Sequence, residues 1–223
     1  MKLMIRRYRP SDKDTVLRLF SVCIREHIGP CFQNAMSSPL YISITLSLCL
    51  AGYLFSSLMV TVLLPAAWAG LIYYCCHVSF ASYVSERLRT DMQDIVGHYL
   101  SRPDDCFWVA EAEVDGKVQV VGMVAVVCRQ SGDEKYGELF RMIISQQCRR
   151  MGLGYRMTQV VIDFCKERGF TKVVLETTDT QMAAVALYKK LGFIHVLSHR
   201  EAHTSFWVIL LSRMTIVKME KLL

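Results

Sequence analysis

No aspartate, glutamate, lysine or arginine occurs between Glu26 and Glu86. So long an uncharged stretch excludes an ordinary solvated surface over that part of the chain. All 26 basic and 20 acidic residues lie outside it, and the net charge is +6. An apolar h-region is also missing at the N-terminus: Met1 to Phe20 is rich in Arg, Lys and Asp, which argues against a signal peptide. The nine cysteines show no metal-ligand spacing, and their odd number leaves at least one unpaired in a monomer. This favours a reducing compartment. A composition that is 52% hydrophobic and only 21% charged excludes a disordered chain. What remains is a charged globular protein with an apolar block set inside it.

That block runs from Leu40 to Phe80. A membrane-spanning helix needs about 20 apolar residues, and the stretch before Pro65 alone supplies them. A buried core helix is the alternative, but a domain of this size has little use for so long an uncharged segment. If both flanks belong to one folded domain, the block must enter and leave on the same face. It then forms a helical hairpin or a re-entrant loop, with Pro65 near the bend. Arg18 and Arg25 precede it and Arg87 and Arg89 follow it, which favours a cytoplasmic domain. The chain divides into residues 1–39 and 81–223 of one domain, with residues 40–80 as the membrane-embedded insertion. The adjacent Cys75 and Cys76 read as packed thiols, with acylation near a membrane surface as the alternative.

Leu3 to Tyr8 predicts a strand, and Val16, Leu17, Phe20 and Ile24 follow a helical period. A second amphipathic helix is expected from Ser85 to Leu100. Two strands, Cys106 to Glu113 and Val118 to Cys128, meet at the turn signal Asp115-Gly116. Gln130 to Gly137 reads as a polar loop and Glu138 to Ile144 as a strand. A helix from Gly152 to Arg168, a strand from Lys172 to Thr177 and a helix from Gln181 to Leu191 follow. Gly169 and Gly192 end the two helices. Ser205 to Met219 reads as one long strand or two. The pattern is mixed α/β (α+β), with hairpins early and a βαβ unit late.

The stretch Arg149-Arg150-Met151-Gly152-Leu153-Gly154 lies between a strand and a helix. Glycines there let backbone approach a ligand, and the free N–H groups of a helix start favour an anion such as a pyrophosphate. The dinucleotide pattern G-x-G-x-x-G fails because position 157 is Met, and no Gly-Lys-Ser/Thr follows. One strand and one loop downstream stands Ala184-Val185-Ala186-Leu187-Tyr188-Lys189-Lys190-Leu191-Gly192-Phe193.

Together the two stretches resemble the GCN5-related N-acetyltransferase (GNAT) superfamily, whose motifs are Q/R-x-x-G-x-G/A and A-x-x-L-Y-x-x-x-G-F. The resemblance implies the GNAT fold, with a mixed central sheet whose fourth and fifth strands splay apart. It implies acetyl-CoA as donor and no metal. The pyrophosphate would sit on the amides of Arg150, Met151, Gly152, Leu153 and Gly154, with Arg149 and Arg150 adding positive charge. The pantetheine arm would pair with backbone around Met142, Ile143 and Ile144. Tyr188 matches the tyrosine that protonates the departing thiolate. Glu138 matches the glutamate of the histone-acetylating branch and is the candidate base. Many members have Asn where Gln181 stands, which shifts the reach of that amide. His195, His199 and His203 recur at intervals of four but do not read as helix, so a metal site is not expected.

The apolar block, with Thr90-Asp91-Met92, Cys106 to Glu111 and Val121 to Val124, looks like the camello-like, or N-acetyltransferase 8, family. That resemblance implies anchoring in endoplasmic reticulum or Golgi-type membranes and contact with membrane lipid. It implies a primary amine as acceptor: a cysteine S-conjugate, aspartate, or a protein lysine, histones included. The alternative is a catalytically silent acyl-CoA-binding membrane protein. Nucleic-acid binding is not expected, because the charge is scattered and no basic patch interleaved with aromatics appears.

Overall fold

The computed structural model describes residues 3–55, 58–114, 116–200 and 205–223, the side chain of Val114 excepted. The strands are β1 (Leu3–Arg7), β2 (Cys106–Val114), β3 (Lys117–Ser131), β4 (Glu134–Ile144), β5 (Lys172–Thr178), β6 (Ile194–His199) and β7 (Ile216–Leu222). They form one sheet in the order β1-β2-β3-β4-β5-β7-β6. Every neighbouring pair is antiparallel except β4 and β5, which run parallel.

The helices are α1 (Lys13–Arg25), α2 (Ile28–Met36), α3 (Pro39–Leu54), α4 (Leu58–Arg89), α5 (Ile95–Tyr99), α6 (Leu153–Glu167), α7 (Met182–Lys190) and α8 (Phe206–Ser212). The central strand β3 is buried on both faces from Val121 to Val127. Such an uninterrupted apolar run is what a doubly covered strand requires. Val121, Val124 and Val126 join α6 and α7 in one core. Met123, Ala125 and Val127 join α1, α5 and the end of α4 in the other. A third cluster, Ile28, Cys31, Ala35, Tyr41, Ile72, Cys76 and Phe80, seats the apolar helices on the domain.

Several expectations need correction. Pro65 does not mark the bend: it lies inside α4, and the chain turns beyond Leu54. A lone proline is tolerated where neighbouring helices and local adjustment satisfy the freed carbonyl. The segment from Ser85 to Leu100 is not one helix. α4 runs on to Arg89, and the short α5 starts afresh at Asp94, whose carboxylate accepts from the Gly97 amide at 2.9 Å. Gln130 to Gly137 is not a loop: β3 and β4 pair through Ser131 and Glu134 around Gly132, which has φ of 59°. This hairpin end projects beyond the core, so polar residues occupy both faces. Ser205 to Met219 is not all strand. Its first half is α8, because Leu211 packs onto α2 and α4 and Ile209 is buried, which overrides β-branched propensity. Cys75 and Cys76, by contrast, are both buried, in keeping with their reading as packed thiols and against the alternative of acylation. Asp115 of the expected turn and His203 lie outside the described residues.

Candidate active site

β4 and β5 share three ladder positions, Gly137 with Val173, Glu138 with Val174 and Leu139 with Leu175. Beyond Leu139 they separate. The cause is visible on the other side of β4, where the register with β3 shifts between Met123 and Ala125. Two residues, Arg141 and Met142, bulge there opposite one, and Arg141 adopts φ of 53°. A bulge bends its strand and re-aims side chains. A non-glycine residue at positive φ is held there by its surroundings.

Arg141 is held by a dense set of partners. Its Nε donates to Asp91 Oδ2 at 2.8 Å and its Nη1 donates to the Tyr83 hydroxyl at 2.6 Å. Tyr99 donates its hydroxyl to the same Asp91 carboxylate. Burial raises the Asp91 carboxyl, but Arg141 and the Tyr99 hydroxyl outweigh it and hold the group below its usual range. Phe20, Tyr83 and Phe140 present their rings to the guanidinium.

The parted strands open a cavity of about 240 Å³. Its walls include Glu138, Arg141 and Met142 of β4, Glu176 and Thr177 of β5, Gln181 and Tyr188 of α7, Phe20 and Ile24 of α1, Phe80 and Arg87 of α4, and Met214 and Ile216. Tyr188 is buried in the wall and packs on Phe193 at 5.6 Å between ring centroids. Its hydroxyl has no hydrogen-bond partner among the described residues, and burial pushes its phenol well above the ordinary range.

At the other end of β4 the chain passes through a short 3-10 turn into the start of α6. Arg150 and Gly152 take positive φ, 62° and 74°. The first helical amide to find a carbonyl at this end is Arg156, which donates to Gly152 at 3.1 Å. None of the amides of Arg150 to Tyr155 donates to the protein among the described residues, and no side chain caps α6. Gly154 is required by close approach: a Cβ there would meet Leu187 Cδ2 at 2.9 Å and Ile144 Cδ1 at 3.1 Å. This is an anion cradle of open N–H groups at the positive end of a helix, and it fits a pyrophosphate.

Placement of the expected residues is uneven. Met142 and Ile143 lie on the edge of β4 that β5 has left, as a pantetheine contact requires. The Ile144 carbonyl, however, accepts from Arg149 Nε at 3.1 Å. Arg149 also pairs with Glu26. Its guanidinium is thus spent on the protein, and Arg150 is the exposed cation beside the cradle. Gln181 precedes α7 and accepts from Thr177 Oγ1 at 3.3 Å. Glu138 lines the cavity but is paired with Arg129 Nε at 2.7 Å. Glu176, which the sequence did not single out, faces the same cavity with no ion pair or hydrogen bond among the described residues. Its signal was available: on a strand with Val174 and Leu175 buried, it is an exposed carboxylate at the splayed end. Arg141 carried no signal, since a bulge at an arginine has no sequence mark. His195 and His199 stand on β6, and His195 Nε2 lies 2.8 Å from Ser198 Oγ.

A mixed sheet parted at its one parallel step, with an anion cradle at one end of the gap and a buried phenol across it, has the geometry an acyl-CoA transferase requires. Comparison with known proteins agrees: residues 72–193 match the Acetyltransferase (GNAT) family, and the chain belongs to that family. Probable N-acetyltransferase camello of Xenopus laevis is 35% identical over 196 residues, covering 85% of this chain and 84% of its own. Human N-acetyltransferase 8B is 34% identical over 197 residues, with 85% and 83% covered. Human N-acetylaspartate synthetase is 35% identical over 196 residues, covering 86% of this chain and 62% of its own. A GNAT-family acetyltransferase from Staphylococcus aureus Mu50 superposes with a TM-score of 0.59 over 99% of each chain at 13% identity, a likeness of fold. The protein is an acetyl-CoA-dependent N-acetyltransferase related to the camello and N-acetyltransferase 8 enzymes.

Proposed function

We propose that the protein is a membrane-anchored N-acetyltransferase whose acceptor is a small amphipathic molecule bearing a primary amine and a carboxylate, of the cysteine S-conjugate type. The cavity carries this reading. One wall holds Arg87 and Arg141, the latter already paired with Asp91, another the carboxylate Glu176, and the remainder is apolar through Phe20, Ile24, Phe80 and Met214. A carboxylate would be drawn to the Arg87 side, an ammonium to Glu176, and an apolar substituent to the helix-lined side. A lysine within a protein chain presents no neighbouring carboxylate and uses less of these walls. The relative named N-acetylaspartate synthetase supports an amino-acid acceptor.

The amides of Arg150 to Gly154 hold the diphosphate and the open edge of β4 holds the arm, so the thioester lies between β4 and β5. Glu176, directly or through water, takes a proton from the ammonium. The freed nitrogen bonds to the acetyl carbon as the carbon–sulfur bond breaks, Tyr188 gives its proton to the departing sulfur, and the surplus proton left on the nitrogen passes through water to restore the Tyr188 phenol. Glu138 serves the same gap more weakly, because Arg129 holds its carboxylate.

Residues 1–39 and 81–223 form the catalytic domain and residues 40–80 the anchor. α4 is long and apolar enough to cross a membrane, which supports attachment. The basic residues on either side of the block favour a catalytic domain on the cytoplasmic face of an endoplasmic reticulum or Golgi-type membrane. The test is an acceptor screen. Detergent-purified protein receives acetyl-CoA with S-conjugates, free amino acids or histone-tail peptides, and thiol release is followed. S-conjugates should give the highest kcat/KM; release with histone peptides alone would refute the acceptor, and coenzyme binding without release from any acceptor would make the chain a silent binder.

A further inference from the structure

We infer that α3 and α4 form a one-leaflet anchor, entering the bilayer from the catalytic side, reaching its middle and returning, with α8 lying at the surface beside them. The inference rests on the membrane attachment proposed above and fixes its depth.

Two contacts set the alignment of the helices. Gly52 of α3 backs directly onto the backbone of Thr61 in α4, where a Cβ would collide. Tyr41 of α3 packs in one cluster with Ile72 and Cys76 of α4. Both contacts give the same antiparallel register. At 1.5 Å per residue, α3 descends about 20 Å from Tyr41 to Leu54, and α4 climbs about 21 Å from Leu58 to Ile72.

Below Tyr41 and Ile72 the outer faces of the pair are uncovered: Leu50, Leu54, Leu58 and Val62 are each more than half exposed. Above that level α4 is part of the domain, with Cys75, Cys76, Ser79 and Phe80 buried beneath neighbouring helices. A hydrocarbon core is about 30 Å thick, so about 20 Å of free hairpin covers one leaflet and part of its interface. α4 has the length to cross, but its upper half already serves as domain core.

The chemistry at the base agrees. Tyr73 and Tyr74 of α4 are exposed just past Ile72, and Phe206 and Trp207 are exposed on α8. α8 is fixed at this height, since the Tyr41 hydroxyl donates to the Leu211 carbonyl at 3.0 Å. The Arg213 guanidinium lies 5.5 Å from the Tyr41 ring centroid. Aromatic rings and a cation with an apolar stem are the side chains that settle between headgroups and acyl chains. A second protein copy is a poorer occupant, because α3 carries no charge and its whole outward half, through Ile42, Leu46, Leu50, Tyr53 and Leu54, is exposed and apolar without the charged rim of a protein interface. Phe80, in the cavity wall, stands about 12 Å beyond Ile72 along α4, so the acceptor site opens within reach of the headgroup layer.

Full-length protein carrying Leu54→Cys or Tyr74→Cys, each with Cys49→Ser and Cys128→Ser to remove the two thiols that are not buried, is labelled with an environment-sensitive fluorophore. It is placed in sealed phosphatidylcholine vesicles with the catalytic domain outside. The label at residue 54 should be quenched most by a spin label near the acyl-chain end, and that at residue 74 by one near the headgroup. An impermeant maleimide trapped in the lumen should leave unlabelled residue 54 unmodified. Quenching combined with lumenal modification would overturn the one-leaflet depth while leaving attachment intact. Absence of quenching at both positions would overturn attachment itself, and unquenched but cross-linked residue 54 would assign the surface to a second copy.

Discussion

Tyr188 carries its proton across the whole physiological range, because burial disfavours the phenolate. Replacing it with Phe keeps the packing on Phe193 and removes only the hydroxyl proposed as the acid. Turnover should fall about 10²–10³-fold while coenzyme affinity measured by calorimetry is retained. The sign of the shift also predicts that kcat has no alkaline decline near pH 10, the ordinary phenol value. A pH–rate profile falling below that point would show an ionising tyrosine. Glu176→Gln should lower kcat more than Glu138→Gln, since the second carboxylate is already occupied by Arg129. Equal losses would return the base role to Glu138. Asp91 holds a different kind of position. Asp91→Asn leaves the buried Arg141 without its counter-charge and should cost about 3–5 kcal/mol in denaturant unfolding. Because the Asp91 carboxyl is held low in the fold, its contribution is present above the ordinary carboxylate value near pH 4 and is lost as pH falls through the lowered one.

At the scale of elements, what was legible was what depends on local backbone chemistry. Gly152-Leu153-Gly154 marked the start of α6, and Gly192 marked the end of α7 with φ of 86°, because few other residues suit those positions. The run Val118 to Cys128 marked a strand, and the structure adds that it is buried on both faces from Val121 to Val127. Elements whose form is decided by distant packing were not legible. The run Phe206 to Leu211 has strand-like composition and became helix only because α2 and α4 offered it an apolar seat. The bulge at Arg141, which parts the strands and creates the site, is enforced by Asp91 and Tyr83, fifty or more residues away. Gly154 offers an element-level test. Gly154→Val must push on Leu187 and Ile144, moving α7 and the tip of β4. It should raise the KM for acetyl-CoA well above its effect on kcat, and equal changes in both would argue against the cradle.

At the scale of the molecule, the sheet consists of two wings. One holds β1 to β4 and the other β5, β7 and β6, and among the described residues the backbone ties between them are the pairs at Gly137, Glu138 and Leu139 and the Thr171 amide donating to the Lys135 carbonyl at 2.9 Å. Helices brace this seam, but its backbone tie is slight, so the wings are free to breathe relative to each other more than neighbouring strands elsewhere. A coenzyme bound in the gap as proposed would touch both and act as a splint. Saturating CoA at about a hundred times its dissociation constant should therefore raise unfolding stability by about 2.7 kcal/mol. It should slow hydrogen exchange most at Phe140 to Ile143, where β4 keeps β3 on one side but has lost β5 on the other. An enzyme built this way stiffens when charged with donor and slackens when the spent carrier leaves, so its mechanical state reports its place in the catalytic cycle.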